Sequence, residues 1–318
     1  MQIQQANDTA RRVVAELQKA IVGQDAALEH IACALLAGGH ALVEGVPGTA
    51  KTLMARSLAH VAGGSFRRIQ FTPDLMPSDV LGVNTYNTAT GEFVFRPGPI
   101  FADVILADEI NRAPAKTQSA LLEAMEERQA TVDGVSHAMS RVFTVFATQN
   151  PVEFEGTYPL PEAEVDRFMM KIVVGYPAEQ TEATILDRLE GGFDASNLAT
   201  AGLQAVLNAE TLGELRATVR AIRVEEPVRR YVTRIVCATR SMPQIALGAS
   251  PRAAVMLMLA AKAQAVLNCR EFVTPDDVKG MALPALRHRL LLHPEVEVEG
   301  RTADECIRDL LLGIEVPR

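Results

Sequence analysis

The sequence predicts an α/β core built on a parallel sheet flanked by helices, followed by an all-helical second domain. Up to Tyr176-Pro177, short β-branched or aromatic runs alternate with helix-length segments, the pattern of a parallel sheet wrapped by helices. After Pro177 the β-rich runs give way to a succession of apolar stripes with helical period. With 318 residues and 48% apolar content, the chain can bury a large core, and about two domains are expected. The boundary is read at 177/178, giving units 1–177 and 178–318.

In chain order, the strand readings are Leu42-Val43-Glu44, Phe66 to Phe71, Val104 to Ala107, Val142 to Thr148 and Met169 to Val174. Two insertions read as hairpins. From Pro77 to Phe101, two β-prone arms surround the Gly91 turn; between Ala130 and His137, Asp133-Gly134 is a strong two-residue turn signal. Past Pro177, helices are expected over Ala178 to Leu189, Thr211 to Ile222, Pro227 to Met242, Pro251 to Asn268 and Pro275 to Leu286. The last opens with Thr274-Pro275-Asp276-Asp277: a hydroxyl cap, proline in the first turn and acids at the positive end of the helix.

Composition narrows the function. A net charge of −8 disfavours a surface devoted to phosphate backbones, so nucleic acid is not the expected partner. The start has no charged-then-apolar secretory pattern and no run approaches a membrane span, so a soluble cytoplasmic protein is expected. Cys33, Cys237, Cys269 and Cys306 form no CxxC pair and read as buried reduced thiols. His288 and His293 lack metal spacing, and no zinc site is expected.

The most informative segment is Gly45-Val46-Pro47-Gly48-Thr49-Ala50-Lys51-Thr52, between the first strand and a helical pattern over Leu53 to Val61. A triphosphate needs several backbone N–H groups converging on its oxygens, and a small-residue loop at a helix N-terminus supplies them. Lys51 would reach the β- and γ-phosphates and Thr52 would ligate Mg²⁺. Ala50 stands where the pattern expects glycine; its methyl group tolerates a helix-like backbone but forbids a left-handed one. Farther on, Val104-Ile105-Leu106-Ala107-Asp108-Glu109 is an apolar strand ending in two acids, expected beside the phosphate loop. Asp108 would hold the Mg²⁺ shell and Glu109 would orient and deprotonate the attacking water.

With these motifs the chain resembles the MoxR family of AAA+ ATPases over its whole length. Ile21-Val22-Gly23-Gln24 resembles the adenine-side motif, which implies base contacts from Val22 and Gly23. Phe146-Ala147-Thr148-Gln149-Asn150-Pro151 is similar to the sensor-1 strand, so Asn150 would bond the lytic water or γ-phosphate. The run Pro161 to Phe168 resembles the arginine-finger segment, with Arg167 reaching into the next subunit's nucleotide. Ala249-Ser250-Pro251-Arg252 resembles sensor 2, implying that Arg252 closes the helical lid on ATP. The two hairpins would then be the helix-2 insert and the pre-sensor-1 hairpin, facing a ring pore and the client. Asn111-Arg112 is a minor candidate for the subunit boundary, while the acids of Glu123 to Arg128 read as a solvated helix face.

The resemblance implies Mg-ATP hydrolysis in a homo-oligomeric, hexameric ring that remodels a client protein or inserts its cofactor, with a VWA-domain protein as adaptor. A nucleic-acid motor on the same ATPase core and a nucleotide-gated scaffold are the alternatives. Intact Lys51, Glu109, Asn150 and Arg167 speak against the scaffold.

Overall fold

A computed structural model describes residues 1–46, 48–149 and 158–317. Two helices, α1 (Ile3–Ala20) and α2 (Asp25–Ala37), precede strand β1 (Ala41–Gly45) and helix α3 (Lys51–Val61). Then come β2 (Phe66–Gln70), the short α4 (Pro77–Leu81), and the hairpin β3 (Gly82–Asn87) with β4 (Glu92–Pro97). Strand β5 (Val104–Asp108) and helix α5 (Ala115–Glu127) lead to a second hairpin, β6 (Gln129–Val132) with β7 (Val135–Ala138). Strand β8 (Thr144–Gln149), the single turn α6 (Glu162–Val165) and β9 (Met170–Val174) complete the α/β part.

Among the described residues the main sheet has five parallel strands in the order β2-β5-β8-β1-β9. The interior strand β5 is buried along its whole length because both faces of the sheet are covered. Val104 and Leu106 join one buried cluster, while Ile105 and Ala107 join the other; Phe146 faces the first, and Val145 and Ala147 the second. The second cluster is sealed by α5 and by Val80, Ile100 and Phe143 near the hairpin bases. The first continues through α1, α2 and α3 into the C-terminal helices.

Those helices are α7 (Glu179–Glu190), α8 (Ala209–Ala221), α9 (Glu226–Ala238), α10 (Pro251–Leu267) and α11 (Pro275–Leu286). The expected cap of α11 is present as a capping box: Thr274 and Asp277 satisfy each other's backbone N–H groups. One short antiparallel ladder joins β10 (Ile245–Leu247) to β11 (Leu291–Leu292), tying the segment before α10 to the chain after α11. Helices α12 (Pro294–Val298) and α13 (Ala303–Gly313) follow. Unlike α8–α11, α7 buries no residue.

The hairpins project but are locked to each other. His137 stacks on Phe95 with ring centroids 3.9 Å apart, and Asn84 donates to Asp133 at 2.7 Å. Cys33 and Cys306 are buried as expected. Cys237 and Cys269 are exposed, on the solvent side of α9 and just past the end of α10. Among the described residues no helix is long and apolar enough to cross a membrane, and no group of three or more His, Cys, Asp or Glu side chains is placed to hold a metal ion.

Candidate active site

The loop between β1 and α3 is shaped by its neighbours. A Cβ on Gly45 would lie 2.5 Å from the Val174 carbonyl on β9, so only glycine lets the two strands pair there. Gly48 takes φ +85°, and the Thr49 hydroxyl donates to the Val46 carbonyl at 2.9 Å, curling the loop back on itself. The Lys51 ammonium donates to the Gly45 carbonyl, which holds it across the loop mouth. Pro47 lies outside the described residues. The expectation for Ala50 is overturned: it is left-handed, at φ 61° and ψ 20°, immediately before α3. The turn into α3 demands that conformation whatever the side chain, at a cost of about 1–2 kcal/mol for a residue with a Cβ.

The acids come from β5. They are not on the strand next to the phosphate loop, as expected, because β8 lies between β5 and β1. The cavity nevertheless unites them: a space of about 560 Å³ is lined by Gly48 to Thr52, Arg56, Arg68, Asp108 and Glu109. Thr148 on the intervening strand connects the two, donating its hydroxyl to Asp108 at 2.5 Å while accepting the Glu109 N–H at 2.8 Å. Glu109 sits at φ 56°, so the backbone turns sharply after Asp108. Arg68 donates twice to the same Asp108 oxygen, at 2.9 and 2.6 Å, and Gln70 donates to Glu109 at 2.8 Å. Arg112 also reaches Glu109, at 3.1 Å, so within one chain this minor candidate serves the acid.

The sequence reading missed Arg68, Gln70 and the role of Thr148. Their signal is weak but physical: Arg68 and Gln70 are two apart on a strand and therefore share a face.

An adjoining apolar cavity of about 300 Å³ is lined by Ile21, Val22, Gln24, Leu53, Ile185 and Phe193, and opens onto Gly48, Thr49 and Ala50. Gly23 adopts φ +72°, and a Cβ there would collide with Thr181 of α7. The cavity thus lies between the α1–α2 turn and α7, with a shape and polarity suited to a flat apolar base.

The arginines lie elsewhere. Arg167 and Arg252 both bind Glu126 at the end of α5, Arg167 through Nε at 3.0 Å to one carboxylate oxygen and Arg252 through Nη2 to the other. With Arg128 and Arg220 they line a separate cavity of about 270 Å³ that shares no residue with the two above. Two expectations change accordingly. Glu126 is not merely part of a solvated face. Nor does Arg252 close over its own phosphate loop, because α10 packs on α2 and α11 and the loop's helical cover comes from α7. Asn150 lies outside the described residues.

Deep between β1, β8 and α5, His40 accepts the Val145 N–H at Nδ1 and donates from Nε2 to the Met125 carbonyl. Burial and the nearby Arg128 push its pKa down to about 3, so it is neutral.

Sheet order, loop and cavity define a nucleotide-binding ATPase of the AAA class. The AAA family (ATPases associated with various cellular activities) matches residues 40–170, and the AAA lid domain matches 237–310. Chaperone MoxR1 of Mycobacterium tuberculosis is 41% identical over 98% of this chain and 83% of its own length. Protein MoxR of Methylorubrum extorquens is 32% identical over 98% and 96% respectively, and YeaC of Bacillus subtilis 47% identical over 96% and 94%. A Cytophaga hutchinsonii crystal structure, 39% identical, superposes with a TM-score of 0.90 over 99% of this chain and 97% of that one. The chain belongs to the MoxR family of AAA+ ATPases.

Proposed function

We propose that the chain binds Mg-ATP between residues 1–177 and the first helix of 178–318, and hydrolyses it in a ring whose neighbouring copy completes each site. One observation carries this reading: the phosphate loop and both acids share one cavity, while Arg167 and Arg252 share another. A single chain therefore holds two half-sites, and in this reading a second copy brings Arg167 and Arg252 to the cavity that holds the acids.

In this reading Val22 and Gly23 contact the base, and the backbone N–H groups of Gly48 to Thr52 cradle the phosphates with the N-terminal end of α3. The Thr52 hydroxyl and Asp108 fit a hard, oxygen-preferring Mg²⁺, since both line the cavity beside Lys51. Mg²⁺ bound there would neutralise charge on the β- and γ-oxygens. Glu109, held by Gln70 and Arg112, accepts a proton from the attacking water, with Asn150 as a second orienting group. Arg167 and Arg252 of the neighbour neutralise charge on the transferred phosphoryl group.

The work done is remodelling of a client protein. Tyr86, Phe93 and Val94 on the first hairpin are all exposed, Phe93 by 73%, and an aromatic pair presented to solvent on a hairpin suits contact with unfolded or partly folded protein. A six-membered ring and a VWA-domain adaptor are proposed on the family resemblance.

The test is ATPase rate against protein concentration with light-scattering mass measured in parallel, for the wild type and Glu109→Gln. Activity per chain that rises as an ATP-bound ring forms supports the shared site. A monomer that hydrolyses ATP equally well ends the ring reading.

A further inference from the structure

The residue before Arg167 is bound more tightly than the arginine itself. One oxygen of Asp166 accepts Nε of Arg289 at 2.7 Å, and the other accepts the Ser250 hydroxyl at 2.8 Å. The Arg289 side chain is only 1% exposed, and its remaining N–H groups donate to the carbonyls of Asp166, Phe168, Met169 and Ala285. The backbone on both sides of Arg167 is thereby stapled to one buried guanidinium from the end of α11. A buried charge of this kind needs its counter-ion, so the Asp166 carboxylate is not interchangeable with a neutral group. Ser250 caps α10 and stands two residues before Arg252. A single carboxylate therefore links the Arg167 segment to the start of the helix that carries Arg252.

We propose that Asp166 is a positioning residue that, with Ser250 and Arg289, sets the spacing between Arg167 and Arg252 so that both guanidiniums enter the neighbouring copy's nucleotide site as a pair. This deepens, and rests on, the reading of a site shared between copies. It also makes Asp166 the point at which movement of the C-terminal helices reaches the arginine. The Phe168 carbonyl accepts a further bond from His288 Nε2 at 3.1 Å, so the segment has no slack on its far side either. An error of about 1 Å in a charge-stabilising group costs on the order of a hundredfold in rate, so a partial loosening is readily measurable.

The experiment compares Asp166→Asn, Arg167→Ala and the double variant by kcat and KM for ATP, affinity for a non-hydrolysable ATP analogue, and ring mass. Asp166→Asn keeps an acceptor but removes the charge. It should lower kcat by about tenfold while KM, analogue affinity and ring mass hold. In the Arg167→Ala background the same change should cost clearly less than it does in the wild type, because only Arg252 is left to be positioned. Mixing Asp166→Asn chains with Lys51→Ala chains, whose arginines are intact, should restore part of the rate. Equal further loss in the double variant, or a change in analogue affinity with kcat intact, would overturn the proposal. If Asp166→Asn does not fold, Ser250→Gly decides, since glycine still caps α10 but removes one bond to Asp166: a fall in kcat of about threefold supports the clamp, and wild-type kcat overturns it. Full activity of Arg167→Ala alone would remove the shared-site reading itself, a distinguishable failure.

Discussion

Arg68 makes a quantitative prediction about Mg²⁺. Its guanidinium donates two hydrogen bonds to Asp108, the carboxylate proposed to hold the Mg²⁺ shell, and one to Gln70. Any cation that uses Asp108 must first displace that pair. The Asp108 side chain is 11% exposed but that of Arg68 is 48% exposed, so solvent screens the attraction and the pair is worth only about 0.5–1 kcal/mol. Arg68→Ala should therefore lower the half-saturating free Mg²⁺ by roughly two- to fivefold at saturating ATP. The Thr148 bond should still hold Asp108 in place. Steady-state ATPase titrated with Mg²⁺ is the assay, repeated at about 0.5 M salt, where screening should shrink the difference between variant and wild type. A requirement for Mg²⁺ that is unchanged or higher in Arg68→Ala would refute the reasoning, because it would mean that Arg68 assists Mg-ATP rather than competing with Mg²⁺.

Three further predictions follow from the same site. Glu109→Gln should keep ATP bound while slowing hydrolysis by about a hundredfold or more, read by nucleotide affinity beside single-turnover rate; comparable slowing with lost affinity would assign Glu109 to binding. Gly45→Ala drives a methyl group toward the Val174 carbonyl and should destabilise the fold by about 1–3 kcal/mol and weaken nucleotide binding, as urea unfolding and titration would register; unchanged stability would mean that β1 and β9 can part freely. His40, with its pKa lowered to about 3 in the fold, takes up a proton on unfolding between about pH 6.5 and pH 3. Its contribution is therefore complete above about pH 6.5 and lost as pH falls, at up to about 1.4 kcal/mol per pH unit. His288, depressed by burial and by Arg289, acts in the same direction. Replacing His40 with glutamine should flatten the decline in unfolding free energy between about pH 6.5 and 5, and an unaltered slope would show that His40 is not the group responsible.

Much of the architecture was legible in local pattern. The five strands of the main sheet, both hairpins and helices α7 to α11 lie where period and turn chemistry put them, whereas α12 and α13 were not read from the sequence. The phosphate loop was legible because its backbone requirement restricts the residue types. Ala50 marks the limit of that reasoning. Its methyl group argued against a left-handed backbone, yet the closure of the loop onto α3 imposes one.

What sequence determined by itself was therefore the kind of chemistry: a lysine loop, a strand ending in two acids and an ordered set of polar groups, each recognisable from a few consecutive residues. Which groups share a cavity was decided only by tertiary structure. Strand order inserts β8 between the acids and the phosphate loop and brings the Thr148 hydroxyl against both acid residues. Packing of α10 on α2 carries Arg252 to Glu126 and Arg167. Arg289 reaches Asp166 across more than a hundred residues. Contacts at such separation have no local period or spacing to announce them, because they follow from how buried faces stack and not from the residues beside them.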